Sequence, residues 1–134
     1  MFQRKKSRPN GRIDSLIGAG TRIVGDVSFS GGLRIDGEVT GNVVGVSDQS
    51  TTLIVSANAK IEGEIHVAHV VLNGTVTGPI YSTESLELQG RSRVSGDVHY
   101  NTLEMHLGAI IEGRLVHQTS AVAKTVELKI AARG

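Results

Sequence analysis

Cysteine is absent from this 134-residue chain, and so is tryptophan. The first absence removes disulfide staples, thiolate zinc sites and cysteine nucleophiles together, and it fits a reducing compartment, the cytoplasm by default. Aromatic side chains are nearly missing as well: Phe2, Phe29, Tyr81 and Tyr100 are the full set. Any core has to be built from Val, Ile, Leu and Ala, so it encloses a narrow interior. No run approaches the roughly 18–20 apolar residues that cross a bilayer, and Met1 to Gly11 holds no hydrophobic segment of the kind that directs secretion. No glycine is followed by lysine, so no phosphate-binding P-loop can be written, and nucleotides are not expected to matter. At this length, one domain with a flexible end is the economical reading.

What the chain has in excess is glycine, 17 residues, about twice the usual share of ~7%. The pattern apolar, any, Gly, any, apolar recurs as Ile23-Val24-Gly25-Asp26-Val27, Ile61-Glu62-Gly63-Glu64-Ile65, Val94-Ser95-Gly96-Asp97-Val98 and Ile111-Glu112-Gly113-Arg114-Leu115. Units at Leu33 to Val43 and Leu72 to Ile80 interleave with these, which makes six. Their anchoring glycines 25, 41, 63, 78, 96 and 113 are separated by 16, 22, 15, 18 and 17 residues. The long step holds the polar stretch Gly45 to Thr52, which reads as an inserted loop.

Apolar and small residues alternate through each unit. Leu53, Val55, Ala57, Ala59, Ile61, Gly63 and Ile65 share one parity, as do Leu103, Met105, Leu107, Ala109, Ile111, Gly113 and Leu115. A period of two means β-strand, with one side turned inward. Short strands recurring every 17–18 residues or so, with glycine on the inward parity, predict an all-β fold: a parallel β-helix of about six rungs. The scatter in spacing favours a right-handed coil, because a left-handed one counts hexapeptides tightly. An antiparallel sandwich is the rival. Against it stand the constant parity and the position of Asp36-Gly37 and Asn73-Gly74, which lie inside the alternation. The predicted layout is a basic flexible tail over 1–14, the β-helix over 15–117, and a strand or tail over 118–134, where Val126, Leu128 and Ile130 alternate.

Open strand edges at the two tips of a solenoid invite pairing unless caps cover them. No capping helix is visible, so copies are expected to stack tip to tip into a filament. The residues expected at that interface are Ile17, Ile23, Leu115, Val116, Val126 and Leu128. Charge divides unevenly: residues 1–12 carry five bases and no acid, against 9 bases and 13 acids afterwards. Met1 and Phe2 precede Arg4, Lys5, Lys6 and Arg8, an arrangement suited to anionic lipid, with the ring buried in the acyl boundary. One tail binds weakly, and many arrayed on a polymer bind firmly. A merely solubilising arm and non-specific nucleic-acid binding are the rival readings of the same charges. Nucleic acid is not expected among the partners.

Ile17 to Leu115, with its Ile-x-Gly-Asp-Val repeats led by Met-Phe-x-Arg-Lys, resembles the bactofilins, bacterial cytoskeletal proteins. Gly25-Asp26-Val27, Leu33-Arg34-Ile35-Asp36-Gly37 and Val39-Thr40-Gly41-Asn42-Val43 fall in that family's order and spacing. The resemblance implies a right-handed β-helix that polymerises without nucleotide into non-polar filaments, joined through like ends. It also implies a scaffold on the cytoplasmic face of the inner membrane that positions cell-wall synthases or hydrolases. Met1-Phe2 and Arg4-Lys5-Lys6 are similar to the family's membrane-targeting peptide. An aromatic residue is expected near the C-terminal polymerisation face, where this chain offers only Tyr100.

Two enzyme classes also use β-helices, acyltransferases with a His base and carbonic anhydrases with three His ligands, and either would form a closed oligomer. The six-residue count fails beyond Ile17 to Phe29. His66, His69, His99 and His106 fall on the outward parity, with His117 at a turn, and these spacings draw no zinc site. Asp26, Glu64 and Asp97 share one motif position in alternate units and read as a solvated face, without aromatic platforms for a sugar. A non-enzymatic scaffold is the expectation, with no catalytic residue, cofactor or metal.

Overall fold

The computed structural model describes residues 13–46 and 50–118. They form sixteen strands and no helix. Every strand pairing is parallel. The chain winds as a β-solenoid of six turns with three short faces.

On the first face lie β1 (Ser15–Ile17), β4 (Gly32–Ile35), β7 (Thr52–Val55), the second halves of β9 (Ile65–Leu72) and β11 (Ile80–Leu88), and β14 (Thr102–Met105). The second face carries β2 (Arg22–Val24), β5 (Glu38–Thr40), β8 (Lys60–Glu62), β10 (Thr75–Thr77), β12 (Arg93–Ser95) and β15 (Ile110–Glu112). The third holds β3 (Val27–Phe29), β6 (Val43–Gly45), the first halves of β9 and β11, β13 (Val98–Tyr100) and β16 (Leu115–His117). β9 and β11 are long because they run through the corner between third and first faces; in β11 the register shifts there, between Ser82 and Ser85.

Alternation becomes columns. On the second face Ile23 pairs with Val39, then Ile61, Val76, Val94 and Ile111, and the four interior members are at most 1% exposed. On the third face Val43, Ile65, Ile80 and Val98 are fully buried. With one face of each strand in the lumen and the other in solvent, every rung buries its apolar parity only against the rungs above and below.

The corner between second and third faces explains the glycine spacing. Gly41, Gly63, Gly78, Gly96 and Gly113 have φ between +140° and +158°, a region that side-chain-bearing residues avoid. A Cβ at any of them would lie 2.1–2.6 Å from the carbonyl oxygen of the glycine one turn below. In three of these turns the next residue ties the corner: Asn42 N–H donates to Asp26 Oδ1 at 2.9 Å, Glu64 N–H to Asn42 Oδ1 at 2.9 Å, and Arg114 N–H to Asp97 Oδ1 at 3.0 Å. Pro79 has no N–H to offer Glu64, whose carboxylate instead bonds His66 Nε2 at 2.8 Å.

Corners between first and second faces come in two lengths. Residues 18–21, 56–59, 89–92 and 106–109 are four-residue turns, each closed by an N–H to carbonyl bond of 3.0–3.2 Å. Asp36-Gly37 and Asn73-Gly74 are two-residue corners joining parallel strands, which corrects the reading that they lie within a strand. The inserted loop is also shorter than its polar stretch, since Gly45 ends β6 and Thr52, fully buried, begins β7.

Candidate assembly surfaces

At each tip the ladder stops. Among the described residues, no strand pairs with the outer edges of β1, β2 and β3 at the N-terminal tip, or with those of β14, β15 and β16 at the C-terminal tip. Unpaired parallel edges offer N–H and C=O groups to another chain.

The N-terminal tip is well closed. Ile17 and Phe29 are each only 8% exposed, while Ile23 and Val27 are half-buried against the core. Asp14 holds the lead-in segment down, since its N–H donates to Gly32 O at 2.9 Å and its Oδ2 accepts from Gly32 N–H at 3.0 Å. Apolar side chains left in solvent here are Ile13 in the lead-in segment and the outward Leu16 and Val24.

The C-terminal tip is open. Met105, Ile110 and Leu115 are 40–47% exposed and Leu107 is 97% exposed. The alternation places Leu107 inward; instead it occupies the second position of a four-residue corner, at the surface. Equivalent positions in earlier four-residue corners are Ala19, Ala57 and Gly90, so the last turn alone has a large apolar side chain there. Tyr100 lies one turn below this tip, against the core, with its ring 5.4 Å from that of His117. His117 itself ends β16.

Of the interface residues expected from the sequence, the fold divides four between the tips: Ile17 and Ile23 on one, Leu115 and half-buried Val116 on the other. Val126 and Leu128 lie outside the described residues, as do Met1, Phe2, Arg4, Lys5, Lys6 and Arg8. Ile13, Leu16, Val24, Leu107 and Ile110 are exposed tip residues that were not expected at the interface from the sequence.

The flanks carry columns of polar and aromatic side chains. His66, Tyr81 and His99 stack on the third face with ring centroids 4.5 Å apart and planes within 15°. His99 Nδ1 is buried there without a hydrogen-bond partner. His69 Nδ1 meets Ser85 Oγ at 2.8 Å. No three histidines converge among the described residues. Glu87 and Glu104 are register partners, and His106 Nε2 lies 3.2 and 3.0 Å from their carboxylates, a surface group whose ligand atoms lie close enough together to hold a cation. Two carboxyls sit below their ordinary range: Asp97, held by the Arg114 guanidinium and N–H, and Asp36, held by the Ser56 hydroxyl and then Arg34. Two shallow grooves of about 500 and 510 Å³ flank Asp36, where a two-residue corner sits recessed between four-residue ones.

Among the described residues the solenoid presents an apolar tip and flanks of solvated columns, and its likeness to known proteins agrees with a polymer-forming structural class. The family model for bactofilins, described as polymer-forming cytoskeletal, matches residues 15–116. The chain belongs to the bactofilin family. It is 31% identical over 94 residues to bactofilin BacP of Myxococcus xanthus, covering 70% of this chain, and it spans 36% of that relative's length. It is 28% identical over 102 residues to bactofilin BacO of the same organism, covering 76% of this chain and 78% of that protein. No solved structure gives a significant match. Among the described residues no helix is long and apolar enough to cross a membrane.

Proposed function

We propose that this protein is a nucleotide-independent scaffold whose copies join tip to tip into filaments on the cytoplasmic face of a bacterial inner membrane. The observation that carries this reading is the C-terminal tip, where unpaired strand edges coincide with Met105, Leu107, Ile110 and Leu115 left in solvent. Stacking a second copy there continues the ladder and removes those side chains from water, at about 25 cal/mol per Å² of apolar surface buried. Six rungs at ~4.8 Å give a subunit about 29 Å long. A filament therefore repeats its N-terminal tail at that spacing or twice it, and Met1, Phe2, Arg4, Lys5, Lys6 and Arg8 act together on anionic lipid. The flanks remain free for cell-wall synthases or hydrolases to be positioned along the polymer.

Negative-stain microscopy and sedimentation of the purified chain in nucleotide-free buffer test the assembly: filaments are expected, unchanged by ATP or GTP. Monodisperse particles across a salt and concentration series would refute it. Flotation with vesicles containing phosphatidylserine tests the tail. Binding should be lost in Phe2→Glu and in a chain lacking residues 1–12. Retention by Phe2→Glu would mean that charge alone, or another surface, makes the contact.

A further inference from the structure

One outward column of the first face changes character in the last two turns. Leu16, Arg34, Ile54, Val71, Glu87 and Glu104 follow one another there as register partners, so a carboxylate stands over a carboxylate only between turns five and six. Like charges directly opposite on neighbouring strands repel. His106 lies two residues beyond Glu104, which puts both side chains on the same side of an extended chain. Its Nε2 is 3.0 Å from Glu104 Oε2 and 3.2 Å from Glu87 Oε2. The first position of the four-residue corner is Gly18, Ser56 and Gln89 in earlier turns, so the imidazole is as particular to the last turn as the paired carboxylates are.

These groups make a mixed donor set. One imidazole nitrogen and two carboxylate oxygens suit a first-row divalent cation. Around Zn²⁺, with bonds of about 2.0–2.1 Å, neighbouring tetrahedral ligands stand about 3.3 Å apart, and both His106 contacts are already close to that edge. The three ligand atoms all lie within 4.8 Å of one another, so side-chain rotation at Glu87 and Glu104, 31% and 67% exposed, suffices to bring both carboxylates onto one ion. The frame beneath is fixed. His106 N–H donates to Leu88 O at 2.9 Å, and its carbonyl accepts from Ala109 N–H at 3.2 Å. Gln89 Nε2 donates to Glu87 Oε2 at 3.1 Å, the kind of outer hydrogen bond that orients a ligating carboxylate. Three protein ligands leave a position for water or for a donor from another molecule.

We propose that Glu87, Glu104 and His106 bind a first-row divalent cation, Zn²⁺ in preference to the hard cations Mg²⁺ and Ca²⁺, and that the ion fastens turn six to turn five beside the open tip. The ion bridges two rungs whose carboxylates otherwise repel, and it cancels their charge next to Leu107, which follows His106 in the chain. Imidazole in the donor set is what disfavours Mg²⁺ and Ca²⁺, which prefer oxygen alone. Histidine spacing passes over this site because two of its three ligands are carboxylates, on different turns. The site stands whether or not copies join at that tip.

Calorimetric titration of Zn²⁺ into the full chain, paired with hydrogen exchange, tests it. Gln89→Ala, which spares every ligand, should weaken binding about tenfold, and His106→Gln and Glu104→Gln should each weaken it more than that. His66→Gln, at the separate His66–Glu64 pair, should leave this binding unchanged. Zn²⁺ should slow exchange of the amides of β14 and the 106–109 corner in the full chain and not in His106→Gln. The altered side chains are exposed, so the variants should keep the fold, and unchanged exchange in β5 and β8 checks that they do. Zn²⁺ affinity that survives His106→Gln overturns the site. So does unaltered exchange over residues 104–109 of the full chain at millimolar Zn²⁺, a result that needs no variant. Displacement of bound Zn²⁺ by an equal concentration of Mg²⁺ overturns the preference for a transition cation.

Discussion

The two tips of the solenoid are built from one repeat and end differently. At the N-terminal tip Ile17 and Phe29 fill the lumen to 8% exposure and Asp14 latches the entering chain to Gly32. At the C-terminal tip Met105, in the column of Ile17, and Leu115, in the column of Val27, stand 46% and 47% in water, and Leu107 projects almost free. The lumen needs something large at its mouth; one aromatic residue and the Asp14 latch to Gly32 supply that at the N-terminal end. The difference teaches that a repeat specifies the shaft of a solenoid while single residues in the first and last turns decide how each tip behaves.

The largest effect is expected from placing charge on the open tip. Leu107→Glu combined with Leu115→Glu puts two carboxylates where a junction must dehydrate them, and burying an unpaired charge costs several kcal/mol. Filaments should disappear in sedimentation and negative stain. Leu16→Glu with Val24→Glu makes the matching test at the closed tip, where outward residues lie at the rim, and should raise the assembly threshold less. Analytical ultracentrifugation sharpens the comparison. If like tips join, the C-terminal variant stops at dimers held by N-terminal tips, whereas joining of unlike tips leaves monomers. Equal loss from both variants would erase the distinction between the tips.

A smaller effect separates shaft from tip in stability. Gly63→Ala meets both a φ of +152° and the Gly41 carbonyl oxygen at 2.1 Å. Gly25→Ala, in the first turn, meets the unfavourable φ of +134° but no atom within 4 Å. Backbone strain costs each about 1–3 kcal/mol, and the clash adds about 1–3 kcal/mol to Gly63→Ala alone. Urea denaturation of the assembly-deficient Leu107→Glu/Leu115→Glu background should show that gap. Equal losses would mean that conformation, rather than the close approach of successive turns, fixes the corner glycines.

Those glycines are why the shaft was legible. Their spacings of 16, 22, 15, 18 and 17 residues are the register steps by which Ile23 meets Val39, Ile61, Val76, Val94 and Ile111, because one residue both bends the chain and makes room for the turn below. Corner length has no such marker. Alternation runs through 103–115 without a break, so Leu107 reads as inward, and only the four-residue turn at 106–109 brings it to the surface. The stack of His66, Tyr81 and His99 was hidden for a related reason: residues 15 and 18 positions apart become neighbours only once each turn's length is known. Alternation also treats Ile17 and Leu115 alike, since it carries no information about what covers a mouth.

The smallest effect concerns the last rung. Asp97 on turn five accepts from the Arg114 N–H at 3.0 Å and pairs with the Arg114 guanidinium at 2.9 Å on turn six. This bond is the corner tie that holds the open tip to the shaft. The guanidinium and the N–H keep Asp97 below the ordinary carboxylate range when folded, so the folded state binds fewer protons here than the unfolded state. Stability from this group is therefore present above the unfolded carboxylate pKa and is lost as pH falls below about 4 through the folded value. The pair is exposed, so the loss is slight and weakens further in salt. Asp97→Asn should flatten the acid limb of a pH–stability profile and speed exchange of the Arg114 amide. Asp26 makes the same kind of backbone tie at the closed tip, accepting from Asn42 N–H at 2.9 Å. An acid limb that Asp97→Asn leaves intact would show that the tie does not distinguish the two tips.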